Sequence, residues 1–156
     1  MKQAADSEGR ALSDGPISVS AAFEGNESIA EARAHAWVFL RYLQAELGVP
    51  VSERAMDIVQ LVVSELVTNT RKYAPGPSLL TLDARDGAVS VTVWDTEPQL
   101  PVVRDTNPIR VGQHGLEIVM AVCRSLEMHR EPVGKRITAT IDLAEDPVGD
   151  VADRRP

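Results

Sequence analysis

The 156-residue sequence has a single cysteine, Cys123, which excludes a disulfide within the chain and a cysteine-based zinc cluster. No apolar run approaches the length of about 20 residues that a transmembrane helix requires, so we expect no membrane partner. The first residues also lack the apolar core of a secretory signal peptide. These absences together favour a cytoplasmic location.

Basic residues are also scarce, since 16 lysines and arginines stand against 23 acidic residues and give a net charge of −7. Nucleic acids are bound through a basic surface, so this balance excludes nucleic acid as the main partner. The length favours one domain. The change in composition at both ends predicts a disordered leader over residues 1–16, a domain over residues 17–145 and a disordered tail over residues 146–156.

The most informative stretch runs from Asp57 to Ala74 and has helical spacing. At about 100° per residue, one predicted face collects both apolar and polar side chains: Ile58, Leu61, Val62, Glu65, Asn69 and Lys72. An apolar stripe points into a core, where a carboxylate is costly unless it is paired, binds a metal or opens into a cavity. Glu65 and Asn69 therefore predict a polar site on the core side, with an exposed helix edge as the alternative.

The remaining patterns predict an α+β fold. Strands are expected over residues 17–23, 79–85, 88–95, 125–128 and 136–143, and further helices over residues 29–47 and 115–124. This order predicts a two-layer α/β sandwich, with a mixed, mostly antiparallel sheet covered on one face by helices. The long stretch from Thr96 to Gln113 has no hydrophobic period, which is typical of a functional or mobile loop.

Four motifs occur in a fixed order along the chain. They are Glu65-x-x-x-Asn69 on a helix, Asp95 at a strand end, Gly112-x-x-Gly115-Leu116 before a helix, and Gly134-Lys135 before the last strand. As a set they resemble the GHKL superfamily of ATPase and kinase domains, over residues 18–143. The run SELVTN over residues 64–69 and the short length most resemble the bacterial anti-sigma-factor serine/threonine kinases.

The resemblance implies ATP and Mg²⁺ as cofactors. It makes Glu65 the catalytic base, Asn69 the magnesium ligand and Asp95 the acceptor for the adenine amino group. The implied nucleotide-binding residues are Asn69, Lys72, Asp95, Gly112, His114, Gly115, Leu116 and Lys135. The loop from Thr96 to Gln113 would close over the phosphates as a lid.

The implied activity is phosphorylation of a small antagonist (anti-anti-sigma) protein, with a sigma factor as a second partner and a homodimer as an option. One alternative is a partner-binding module on the same fold with weak or absent ATP binding. The glycines that often follow the adenine-reading aspartate are missing after Asp95, which favours this module a little, whereas the intact Glu65/Asn69 pair favours the kinase. The other is an ATP hydrolase or a fragment of a sensor histidine kinase; no preceding helix carries a phosphoacceptor histidine, which argues against the fragment.

Three further residues that attract attention are predicted to be structural. Cys123 lies in an apolar helix, so we expect it in the core rather than as a nucleophile. Trp37 and Trp94 are interpreted as core or interface aromatics.

Overall fold

The computed structural model describes residues 17–97, residue 100 and residues 114–144. The elements of this part of the chain are β1 (Ile17–Phe23), α1 (Ile29–Leu47), α2 (Glu53–Tyr73), β2 (Ser78–Arg85), β3 (Ala88–Asp95), α3 (His114–Val122), β4 (Ser125–Arg130) and β5 (Lys135–Asp142). The strands form one antiparallel sheet in the order β1-β2-β3-β5-β4. The predicted element order and α+β architecture are confirmed.

Both long helices begin at a serine that caps them. Ser28 accepts a hydrogen bond from the Glu31 backbone N–H at 3.1 Å, and Ser52 accepts one from the Ala55 N–H at 2.9 Å. Such caps satisfy backbone donors that have no partner inside the helix. Gly48 ends α1 in the left-handed conformation, with φ of 67°, which a residue without Cβ adopts at little cost.

The two faces of the sheet differ in character. The face under the helices is apolar, and the alternating apolar residues of β2 and β3 on this face are all buried: Leu80, Leu82, Ala84, Val89, Val91 and Val93. The opposite face carries cross-strand hydroxyl pairs, such as Thr92 with Thr138 at 3.0 Å and Ser20 with Thr81 at 2.9 Å. The helices therefore cover one face, and the core lies between them and the sheet.

The buried face of α2 differs from the one predicted. Leu61 is 37% exposed, Ile58 is only partly buried, and Lys72 is exposed. The residues that enter the core are Ala55, Val59, Val62, Val63, Leu66, Val67, Asn69 and Thr70. The predicted face was rotated by about one residue, because the run holds apolar residues at adjacent positions and periodicity alone does not choose between them.

Two backbone hydrogen bonds show which strand ends lie near the start of α2. Ser52 donates its backbone N–H to the Leu143 carbonyl at 2.8 Å, and Leu143 donates to the Gly87 carbonyl at 2.9 Å. The start of α2 thus lies where β5 ends and β3 begins. Because α2 packs along both strands and its 21 residues span about 30 Å, its last turns lie towards the other end. Asp95 and Lys135 are register partners at that end.

Several expectations are corrected or fall outside the described residues. Trp37 and Trp94 are both well exposed, so neither is a core residue. The leader, the tail and nearly all of the predicted lid, namely residues 1–16, 98–99, 101–113 and 145–156, are outside the described part of the chain. Among the described residues, none of the helices combines the length and hydropathy needed to cross a membrane.

The rotation of α2 predicts opposite outcomes for two leucines on the same helix. Leu66 is 1% exposed whereas Leu61 is 37% exposed. Leu66→Ala should lower the free energy of unfolding by about 2–5 kcal/mol, because it leaves a cavity in the core. Leu61→Ala, the matched control, should cost well under about 1 kcal/mol. Urea denaturation of both variants measures this, and a larger loss for Leu61→Ala would contradict the observed orientation.

Candidate functional site

The last turns of α2 place two polar side chains at the edge of the core. Asn69 is 4% exposed, yet no described residue hydrogen-bonds to its side-chain amide. Glu65, one helical turn earlier, is half-buried. The low exposure of Asn69 does not fit the exposed-edge alternative. Thr70 beside it is also buried, with its hydroxyl unpartnered among the described residues.

The first turn of α3 lies directly against the Glu65 carboxylate. A Cβ added to Gly115 would sit 2.6 Å from Glu65 Oε1, closer than two such atoms can approach. The missing side chain of Gly115 therefore lets the N-terminal turn of α3 approach the carboxylate. The free N–H groups of a helix N-terminus favour anionic groups such as phosphate. The structure thus brings the first and third sequence motifs together.

The second and fourth motifs meet in a buried ion pair. Lys135 Nζ lies 2.9 Å from Asp95 Oδ1, and the side chains are 2% and 0% exposed. Lys135 also donates to the Glu97 carbonyl at 3.2 Å, and the Glu97 N–H donates to Asp95 Oδ1 at 2.9 Å. The other carboxylate oxygen, Oδ2, is buried without a hydrogen-bond partner among the described residues.

Gly134 makes this approach of β5 to β3 possible. Its φ is 80°, and an added Cβ would lie 1.7 Å from the Asp95 carbonyl oxygen. Because the obstacle is backbone, no side-chain movement could relieve the clash. Gly134 belongs to the turn and allows the close backbone approach, whereas Lys135 is the first residue of β5 and forms the ion pair.

A polar network holds the end of α2 to the segment before α1. Arg71 donates to the backbone carbonyl of Glu27. The Glu27 carboxylate accepts hydrogen bonds from the N–H groups of Glu24 at 2.8 Å and Gly25 at 3.1 Å. The bond from the Glu24 N–H is the main reason why the pKa of Glu27 lies below its usual value. This network fixes the turn of α2 that follows Asn69.

The other predicted site residues have different environments. Lys72 is exposed and Leu116 is a buried core residue, so Leu116 could serve a ligand only through its backbone. Gly112 and the side chain of His114 lie outside the described residues. Cys123 lies just after the end of α3 and not within the helix, and it is half-buried rather than a core residue, which corrects the prediction. Burial raises the pKa of its thiol, which disfavours the reactive thiolate.

Sequence reasoning missed the pairing of Lys135 with Asp95 and the burial of Thr70. A lysine that begins a strand beside a turn ordinarily faces solvent. The available signal was alternation along β5, since Lys135, Ile137 and Ala139 share one face of a strand. Thr70 shares the buried face of α2 with Val63 and Leu66, which periodicity with the correct phase would have indicated.

In the part of the chain that the structure describes, no three histidine, cysteine, aspartate or glutamate residues cluster to form a metal site. A magnesium ion, however, commonly takes only one or two protein ligands and completes its shell with water and phosphate oxygens. The unpaired Asn69 amide on the buried face is an oxygen donor of the required kind. The residues present therefore fit a magnesium ion held jointly with a nucleotide, but not a metal held by protein alone.

A comparison with protein-family models agrees with this arrangement. The model described as histidine kinase-like ATPase domain matches residues 28–141. That range includes α1, α2, α3 and all strands except β1, and it contains all four motifs. No curated protein matches the chain significantly.

The buried ion pair predicts a large stability effect for a single charge removal. Lys135→Met leaves the Asp95 carboxylate buried and unpaired, so the free energy of unfolding should fall by about 3–5 kcal/mol. The double variant Lys135→Met/Asp95→Leu removes both charges and should recover most of that loss. Denaturant unfolding at neutral pH measures both.

The matched control for this prediction is Arg124→Met. Arg124 pairs with Asp142 at 2.7 Å, but both side chains are more than half exposed. Its removal should therefore cost at most about 1 kcal/mol. Equal losses for Lys135→Met and Arg124→Met would mean that the Asp95–Lys135 pair is not buried in solution.

Proposed function

The chain belongs to the histidine kinase-like ATPase domain family, and from this membership we propose that it is an ATP-dependent serine/threonine protein kinase. Its proposed substrate is a serine on a small antagonist (anti-anti-sigma) protein. Membership in an ATPase family means that the domain binds ATP, and phosphoryl transfer is the general reaction it supports. The choice of a protein serine as acceptor rests on the SELVTN run over residues 64–69.

The observation that carries the proposal is the arrangement of the last turns of α2. Asn69 is 4% exposed and its side-chain amide has no hydrogen-bond partner among the described residues, and the half-buried Glu65 carboxylate lies one turn away, against the N-terminus of α3 at Gly115. A metal-binding oxygen, a proton acceptor and an anion-binding helix end are thus adjacent. Phosphoryl transfer requires these three functions, since it depends on positioning and charge neutralisation.

Glu65 would act as the general base. Its carboxylate would take the proton of the attacking serine hydroxyl while the new bond forms between the serine oxygen and the γ-phosphorus. The bond from the γ-phosphorus to the bridging oxygen breaks, and ADP leaves. General-base catalysis of this kind typically contributes about 10²–10⁴ in rate. The proximity of Glu65 to Gly115 supports this role, because the γ-phosphate would bind at the same helix end.

Three other groups would hold the nucleotide. Asp95 Oδ2 would accept a hydrogen bond from the adenine amino group, and the exposed Lys72 would contact phosphate as a point charge. Asn69 would ligate Mg²⁺, which, when bound, neutralises charge on the phosphate oxygens. The predicted lid from Thr96 to Gln113 would exclude water after closure.

The regulatory setting forms part of the proposal. Besides the antagonist, a sigma factor would be a second partner that the same domain sequesters, and the domain would act in the cytoplasm, with a homodimer as an option. Support comes from the SELVTN run, the acidic net charge of −7 and the absence of a membrane-spanning helix in the described part of the chain. The acidic charge is consistent with protein partners rather than nucleic acid.

One observation favours a second candidate, a partner-binding module without catalysis. Asp95 Oδ1 already accepts hydrogen bonds from Lys135 and from the Glu97 N–H. Only one of the two carboxylate oxygens is therefore left to bind adenine. Incubation with γ-labelled ATP and candidate antagonists distinguishes the two. Transfer of label to an antagonist serine supports the kinase, and partner binding without transfer supports the module.

The division of labour on α2 predicts different defects for two substitutions. Glu65→Gln keeps the size of the side chain but removes the proton acceptor. It should retain Mg-ATP binding and lose phosphoryl transfer by about 100-fold or more. Asn69→Ala should instead weaken the magnesium-dependent part of nucleotide binding. Calorimetric titration and single-turnover transfer, measured side by side, separate the two defects.

Glu53→Gln is the matched control, because Glu53 is exposed in the first turn of the same helix. It should bind ATP and transfer phosphate as the wild type does. Circular dichroism checks that all three variants fold. Wild-type transfer rates in Glu65→Gln would contradict the proposed base and leave the binding module as the better description.

A further inference from the structure

The Asp95 carboxylate keeps one oxygen available for a ligand. Oδ1 accepts from Lys135 Nζ at 2.9 Å and from the Glu97 N–H at 2.9 Å. Oδ2 is buried and accepts no hydrogen bond from the described residues. Leaving an acceptor buried and unpaired is unfavourable. The carboxylate is therefore arranged to receive a donor from a bound molecule.

The Lys135 ammonium group has an N–H donor that complements the Asp95 Oδ2 acceptor. An ammonium group carries three N–H donors, and the structure gives two of them partners, Asp95 Oδ1 and the Glu97 carbonyl. The third donor has no partner among the described residues, on a side chain that is 2% exposed. A carboxylate only accepts and an ammonium only donates. A ligand that satisfies both groups must therefore present a donor beside an acceptor.

We propose that Lys135 is a base-recognition residue that donates its third N–H to the adenine ring nitrogen beside the exocyclic amine. Asp95 Oδ2 would accept from that amine at the same time. Adenine presents an acceptor nitrogen on each side of the amine, N1 on one edge and N7 on the other, so either edge satisfies the pair. The inference rests on the proposed ATP binding, and it makes recognition depend on two side chains rather than on Asp95 alone.

The arrangement also explains why a buried ion pair stands at this position. Its desolvation costs several kcal/mol for each ion, so stability alone does not account for two buried charges here. The Lys135 ammonium also holds the Glu97 carbonyl, at the start of the predicted lid. The Lys135 ammonium thus positions both Asp95 and Glu97, and in this proposal it also positions the adenine base.

The test uses the wild-type chain and four triphosphates. These are ATP, 1-deaza-ATP, 7-deaza-ATP and the triphosphate of purine riboside, which lacks the amine. Affinities are measured by calorimetry with Mg²⁺ present. A charge-assisted hydrogen bond in a buried site corresponds to about tenfold or more in affinity. We expect the amine-free nucleotide and one deaza analogue to bind at least about tenfold more weakly than ATP. The deaza analogue that binds more weakly shows whether Lys135 donates to N1 or to N7.

Two variants then assign the effect to Lys135. Lys135→Met should abolish the difference between ATP and the discriminated deaza analogue. Arg85→Met is the control, since Arg85 is exposed at the opposite end of β2 from Ser78, the register partner of Asp95. It should keep the wild-type discrimination.

The possible failures are distinguishable. Equal binding of ATP and both deaza analogues, with weak binding of the amine-free nucleotide, would overturn the Lys135 assignment and leave ATP binding intact. Absence of binding to every triphosphate would overturn the proposed function and this inference together. If Lys135→Met does not fold, the wild-type series still tests the proposal, because equal binding of ATP and both deaza analogues overturns it without any variant.

Discussion

The ion pair between Asp95 and Lys135 is the constraint on which the site end of this domain depends. It joins the last residue of β3 to the first residue of β5, two register partners at the centre of the sheet. Removing two charges from water is costly, so a buried pair is rarely the most stable choice for a core position. Its location at a strand end, where one carboxylate oxygen has no hydrogen-bond partner within residues 17–97 and 114–144, is explained better by ligand binding than by stability.

The geometry of the neighbouring turn follows from that pair. Gly134 must lie against the backbone of Asp95, where no Cβ fits, so that β5 can begin with the lysine ammonium beside the carboxylate. The same ammonium binds the Glu97 carbonyl and so fixes the path of the chain as it leaves β3. A substitution at Gly134 would thus act on the site through backbone position.

The second constraint is the dual use of α2. Its apolar residues, such as Val59, Val62 and Leu66, fill the core, while Asn69 and Glu65 near its C-terminal end remain polar. Because the helix packs against α3, β3 and β5, its orientation sets the position of every motif relative to the others. A helix with this much core contact provides a rigid base for Glu65 and Asn69, as the proposed phosphoryl transfer would require.

The sequence alone predicted the elements and the layered α+β fold, and it named the candidate site residues. Local signals were sufficient for this, because the serine caps at Ser28 and Ser52, the stop at Gly48 and the alternation in β2 and β3 act over a few residues. Only the tertiary structure decided which face of α2 is buried, because adjacent apolar residues leave the helical phase open. It alone paired Lys135 with Asp95. Alternation along β5 indicates only which face Lys135 occupies, whereas a contact between residues 40 positions apart depends on strand register.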